Sequence, residues 1–184
     1  MAIDHSKLAA LVAGPDAARA VFAYLIEGLN ADLGRGLTTA SVYDLDNMRS
    51  RRVFSEDLEA YPVGNFKLLE KNRYYETVIA GAKHFSSTRI EEIAEVFFDW
   101  EKIRDLGFES NMNLPAVADG RVIGTVNLLG PRGHFTPGMV DRALAWQPVA
   151  TLAFLLLFLE GLETASFLPD GLAATPGYEG LTEQ

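Results

Sequence analysis

Between Asp16 and Gly36 the apolar residues fall on one side of a helix. Ala18, Val21, Phe22, Leu25, Ile26, Leu29 and Leu33 recur at three- and four-residue steps, which predicts a long amphipathic helix stopped at Gly34 or Gly36. Residues 6–13 form a shorter helix before it. Gly14-Pro15 separates the two, with Pro15 suited to a first helical position. The pattern then changes. Residues 37–45 are rich in strand formers, Asp46-Asn47 reads as a turn, and 49–54 return as a second strand. Residues 61–67 read as loop. Residues 68–82 mix signals, with a short helix at 75–80, and 83–86 form a brief strand. A helical stripe resumes at Ile90, Ile93, Ala94, Phe97, Trp100 and Ile103. Thr88 and Glu91 have capping-box spacing at its start, and Gly107 suits a left-handed cap at its end.

Residues 108–129 organise the rest. Two apolar runs flank Asp119-Gly120, a pair suited to the positive φ that both central residues of a type I′ turn require. With that turn, Ala118 faces Arg121, Ala116 faces Ile123, Leu114 faces Thr125 and Met112 faces Asn127. The opposite face takes Val117, Val122, Pro115, Gly124, Asn113, Val126, Asn111 and Leu128. Both faces are mixed, and a hairpin apolar on two sides needs cover on two sides. This register sends Asn113 and Asn127 to opposite faces. At most one then enters a pocket, unless a bulge near Pro115, which cannot donate to a ladder, shifts the phase.

After a loop at 130–133, Thr136-Pro137 opens a second long helix, expected to run to about residue 160 with a kink at Pro148. Residues 165–184 carry many Pro and Gly and read as a tail. The expected organisation is one α+β domain over 1–164, its core at about 15–160. An antiparallel sheet would carry the first and last helices on one face and the 61–107 segment as a cap on the other. No internal repeat is visible.

The hairpin L-G-F-E-S-N-M-N-L-P-A-V-A-D-G-R-V-I-G-T-V-N-L-L resembles the last hairpin of a GAF domain, a small-molecule-sensing relative of the PAS and profilin-like folds. The resemblance extends through the element order over about 15–160, most of the chain. It implies a ligand seated between sheet and cap. Fold analogy does not name that ligand.

Composition narrows the chemistry. The chain has 184 residues and a formal net charge of −9, which argues against nucleic acid and against an anionic membrane surface. It has no cysteine, so disulfides, thiolate catalysis and Cys-based zinc sites are excluded. The same lack removes the cysteine-dependent methionine sulfoxide reductases among GAF relatives, and bilin attachment through cysteine. No N-K-x-D-E signature of the cyclic-nucleotide-binding subset is found. The N-terminus shows no secretory pattern, so a cytoplasmic location is expected. The apolar run 149–159 is shorter than the ~20 residues of a spanning helix and reads as buried or shared with a partner chain.

No catalytic constellation is present. His5, His84 and His134 lack metal-ligand spacing, and no G-x-S-x-G, P-loop or dinucleotide motif occurs. Neither a metal nor a cofactor is expected. Arg49, Arg51 and Arg52 look like a basic patch, but in an acidic chain they read as a solvated strand face near Glu56, Asp57 and Glu59. Asn113 and Asn127 are either locked to backbone or aimed at a ligand, because a covered amide must regain its hydrogen bonds. The aromatics from Tyr61 to Trp100 either line a pocket or pack the cap. The candidate ligand-binding set is Tyr75, His84, Phe85, Phe97, Trp100, Asn111, Asn113 and Asn127. Three functions follow: a non-enzymatic small-molecule sensor, expected as a homodimer through its terminal helices; an enzyme using His84 with a carboxylate; or a ligand-free interaction module.

Overall fold

The computed structural model describes residues 2–64, 66–159 and 181–182. Helices α1 (His5–Ala13) and α2 (Ala17–Leu33) lead into strands β1 (Leu37–Asp44) and β2 (Arg49–Ser55). Strand β3 (Phe66–Leu68), a π-helical turn (Tyr75–Ala80), β4 (Phe85–Ser87) and two short helices, α3 (Ile90–Ala94) and α4 (Trp100–Asp105), make up the cap. The hairpin β5 (Ser110–Ala118) and β6 (Arg121–Gly130) follows, then α5 (Pro137–Ala145) and α6 (Gln147–Leu159). The sheet runs β4-β5-β6-β1-β2-β3 with every pair antiparallel. A two-residue β7 (Leu181–Thr182) lies parallel beside β3. The architecture is α+β. The rest of the expected 165–184 tail, and the helix end near 160, lie outside the described residues.

The main core fills the space between the sheet and the terminal helices. Phe22, Leu25 and Leu29 of α2 and Ala153, Phe154 and Leu157 of α6 pack on Met112, Leu114 and Val126 of the hairpin. The Phe22 and Phe154 rings meet edge to face, centroids 5.0 Å apart. A Cβ on Gly124 would fall 2.3 Å from the Phe154 ring, so glycine lets α6 close on β6. Among the described residues no single helix is long and apolar enough to cross a membrane. Helices α5 and α6 reach the needed length only together, bent by 43°, and Val149, Ala150, Ala153, Phe154, Leu156 and Leu157 of α6 are buried in the protein.

Several elements differ from the sequence expectation. The C-terminal helix breaks at Trp146, not Pro148. The Trp146 ring lies against Gly28, where a Cβ would approach it to 2.0 Å, and its Nε1 donates to Asp32 Oδ2 at 2.8 Å. Pro148 falls in the first turn of α6, where its missing donor has no intrahelical partner to lose. The stripe from Ile90 to Ile103 is two helices. The break at 95–99 lets Phe97 pack on Tyr74, ring centroids 5.4 Å apart, and frees Asp99 to reach Tyr61. In place of the Thr88–Glu91 box, Glu92 Oε2 accepts from the Thr88 amide at 2.9 Å. Pro15 lies in a turn, and Asp16, at φ 50, precedes α2. Strand β3, within the expected loop, pairs over three residues, too few for a periodic signal.

Candidate small-molecule site

The hairpin turns at Asp119 and Gly120, with φ of 49 and 69 as a type I′ turn requires. Val117 pairs with Val122, but Ala116 pairs with Gly124, so Ile123 is the extra residue of a β-bulge. Beyond it, Asn113 pairs with Asn127, Leu114 with Val126 and Met112 with Leu128. The uninterrupted register is thereby corrected. One inserted residue sorts the two mixed faces: Met112, Leu114, Ala116, Gly124, Val126 and Leu128 turn to the helices, while Asn111, Asn113, Thr125 and Asn127 turn to the cap. Pro115 sits next to the shift, and its carbonyl accepts from Gln147 Nε2 at 2.9 Å.

On the cap side the polar side chains form a continuous ribbon across four strands. Ser87 Oγ donates to Asn111 Oδ1. Asn111 Nδ2 donates to Asn113 Oδ1, and Asn113 Nδ2 to Asn127 Oδ1, each at 2.9 Å. Asn127 Nδ2 reaches Thr39 Oγ1 and Ser41 Oγ at 3.4 Å. Beside the ribbon the Tyr43 hydroxyl lies 2.7 Å from those of both Tyr74 and Thr125. Burial pushes the Tyr43 phenol well up, with help from the neighbouring Tyr74, and burial also raises Tyr74. Both phenols are therefore neutral hydrogen-bonding groups at physiological pH.

This ribbon floors a cleft of about 260 Å³ between sheet and cap, whose far wall includes Tyr74, Val96, Phe97, Phe98 and Ile103. A second lobe of about 270 Å³ continues past Arg52, Tyr61, Lys67 and Asp99 toward Lys102. Arg52, Tyr61, Lys67, Phe98 and Asp99 line both lobes, with Arg52 and Lys67 projected from the sheet by β2 and β3. The Arg52 guanidinium and Lys102 Nζ each lie 4.8 Å from the Tyr61 ring centroid. Burial lowers Arg52, and burial, then the Arg52 charge, lowers Lys67 to about 8. Tyr61 is raised by burial and by Asp99, to which it is hydrogen-bonded. The arrangement pairs an apolar wall with a few converging polar groups, the usual form of a small-molecule site.

The sequence-predicted residues divide. Phe97, Asn111, Asn113 and Asn127 line the cleft together. Tyr75 and Phe85 instead pack in the small core of the cap with Tyr74 and Val78. Trp100 opens α4 with Arg104 over its ring at 5.2 Å. His84 is half-buried ahead of β4 and is not among the cleft-lining residues. Sequence reasoning missed Thr39, Ser41 and Tyr43, although their alternation with Ala40 and Val42 was readable. It also misplaced the arginines. Arg49 Nε pairs with Asp44 Oδ2 at 2.7 Å, Arg51 is only 2% exposed, and Arg52 enters the cleft. Their expected acidic partners are engaged elsewhere: Glu56 Oε2 accepts from the Thr38 amide at 2.7 Å, and Asp57 Oδ1 accepts from the Ala60 amide at 2.8 Å.

Compared by sequence, the chain matches no family model and none of the curated proteins. Its structure is similar to several solved domains. The GAF domain/HD domain protein from Geobacter sulfurreducens aligns with a TM-score of 0.63 at 14% identity, over 83% of this chain and 98% of that one. The GAF domain of a two-component sensor histidine kinase from Bacillus halodurans gives 0.60 at 10%, over 77% and 95%. The blue-light absorbing form of the Thermosynechococcus elongatus PixJ GAF-domain gives 0.57 at 17%, over 87% and 94%. At these identities the likeness is one of fold, and it extends over most of each chain: the chain has the GAF fold.

Proposed function

We propose that this chain is a cytoplasmic sensory domain that binds a small molecule between sheet and cap and does not transform it. The observation that carries the reading is the side-chain ribbon whose members from Asn111 to Ser41 line the floor of the cleft. A core meant only to be filled has no use for three asparagines in a row, since each must be desolvated and re-paired. A ligand with donors and acceptors along one edge uses such a floor. Similarity to domains of a sensor histidine kinase and of PixJ supports the sensory part. Native mass spectrometry of freshly purified protein tests the binding: a small-molecule adduct is expected, and it should vanish in Ser41→Trp, which fills the cleft. An adduct that survives that substitution would place the ligand elsewhere.

A second copy of the chain is the proposed partner. Leu155, Phe158 and Leu159 of α6 are exposed, Leu159 at 81%. Such an apolar strip suits burial against its symmetry mate. Sedimentation at micromolar concentration should show a dimer, and monomer alone would remove the partner.

A further inference from the structure

The charged residues of the cleft run against the composition of the chain. Net charge is −9 overall, yet Arg52, Lys67 and Lys102 converge on the second lobe with Asp99 as its lining carboxylate. Glu70, exposed, lies on the main lobe. Asp99 is engaged by Tyr61. Lys102 Nζ donates to the Ala60 carbonyl. Arg52 uses one terminal nitrogen on the Pro62 carbonyl at 3.0 Å, and its buried Nε has no hydrogen-bond partner among the described residues. Lys67 Nζ contacts the Phe98 ring at 5.6 Å. Neither Arg52 nor Lys67 forms an ion pair with a described carboxylate within the cleft. Two cations are thus partly drawn out of water where the two lobes meet, with the single Asp99 carboxylate as the nearby opposite charge acting on both and an ion pair closed to neither.

We propose that the cleft takes a small organic anion, its carboxylate or phosphate seated between Arg52 and Lys67 and its body laid along the asparagine ribbon. This rests on the small-molecule reading above. Arg52 keeps one terminal guanidinium nitrogen off the Pro62 carbonyl for an oxygen of that group, and Lys67 adds a point charge beside it. The Phe98 ring, 60% exposed, stands by Lys67 at the mouth. The lowered Lys67 supports the assignment, since an anion would restore the charge that burial disfavours. Arg52, Asp99 and Lys102 are the charged groups acting on Lys67, and Tyr61 lies among them.

Benzoate and its neutral counterpart benzamide separate the two layers of the proposal, read by amide NMR titration at constant ionic strength. At pH 7 both should shift cleft resonances, with benzoate about tenfold tighter. Lys67→Met and Arg52→Gln should each erase that preference while benzamide binding stays. Lys67, the more peripheral of the two, keeps the test usable if the arginine variant unfolds. The benzoate preference should fall as pH rises through about 8, where Lys67 loses its proton. Competition by inorganic phosphate against acetate then assigns the head group to phosphate or to carboxylate. Equal binding of benzoate and benzamide, or a preference that persists in Lys67→Met, overturns the anion assignment and leaves the cleft reading standing. Binding of neither probe at the cleft overturns both.

Discussion

The sheet offers two faces, and they are built to opposite rules. Toward α2 and α6, β5 and β6 present Met112, Leu114, Val126 and Leu128, all buried, against interlocked aromatic rings. Toward the cap the same two strands present Asn111, Asn113 and Asn127, joined side chain to side chain along a cleft, and Thr125, bonded to the Tyr43 hydroxyl. Alternation alone puts both sets on the same strands, because successive side chains point to opposite sides. The bulge at Ile123 makes the separation clean. The difference teaches where the stability of the domain resides and where its freedom to bind does: a packed face loses contacts when any atom is removed, whereas a polar face beside a cleft can take a water or ligand atom in place of a lost partner.

Phe154→Ala should therefore give the largest loss. The ring is fully buried between Phe22 and Gly124, and truncation leaves a cavity that rigid neighbours cannot close. The expected cost is about 3–5 kcal/mol by urea unfolding. If this variant proves no less stable than one altered in the cleft, the contrast between the faces is wrong.

The cleft face should respond by smaller amounts, and two substitutions at one position sharpen the point. Asn113 accepts from Asn111 and donates to Asn127. In Asn113→Leu both partners lose their bond behind a bulky apolar group, for about 2–3 kcal/mol. In Asn113→Ala water from the cleft replaces the missing amide, and the cost falls to about 1 kcal/mol. Equal losses would show that the ribbon is as dry as the helical face.

How much of this was legible depended on the period of the signal. The turn at Asp119-Gly120, helix α2 and strands β1 and β2 rest on local chemistry that repeats over many residues, and they stand where the pattern put them. The bulge does not repeat. Pro115 marked its neighbourhood, yet only three-dimensional pairing shows that Ile123 is the inserted residue. The candidate site was half readable for the same reason. Asn111, Asn113 and Asn127 stood out as amides in a covered strand, whereas Tyr75, Phe85 and Trp100 carry no mark that tells a cleft wall from a cap core. Arg52 was misjudged because a charged strand residue is more often solvated. Its strand is turned inward by pairing between β1 and β3, a fact of topology that no local window contains.

The smallest effect concerns the same contrast read through pH. Lys67, on the cleft side of β3, is lowered by burial and by Arg52 to about 8, below its ordinary 10.5. Below pH 8 the ammonium is charged in both folded and unfolded chains, and the folded protein bears the full cost of its burial. Above pH 8 the folded protein releases the proton while the unfolded chain keeps it, so the unfolded state binds more protons and stability rises with pH. The window closes near pH 10, where tyrosines ionise in the unfolded chain while buried Tyr43 and Tyr74 do not, which reverses the sign. Solvent reaches part of Lys67, so the gain stays below about 1 kcal/mol. Urea midpoints taken from pH 7.5 to 9.5 should climb in the wild type and stay flat in Lys67→Met. A slope of the same size in both would assign the titration to another group and leave the lysine as well solvated as any on the surface.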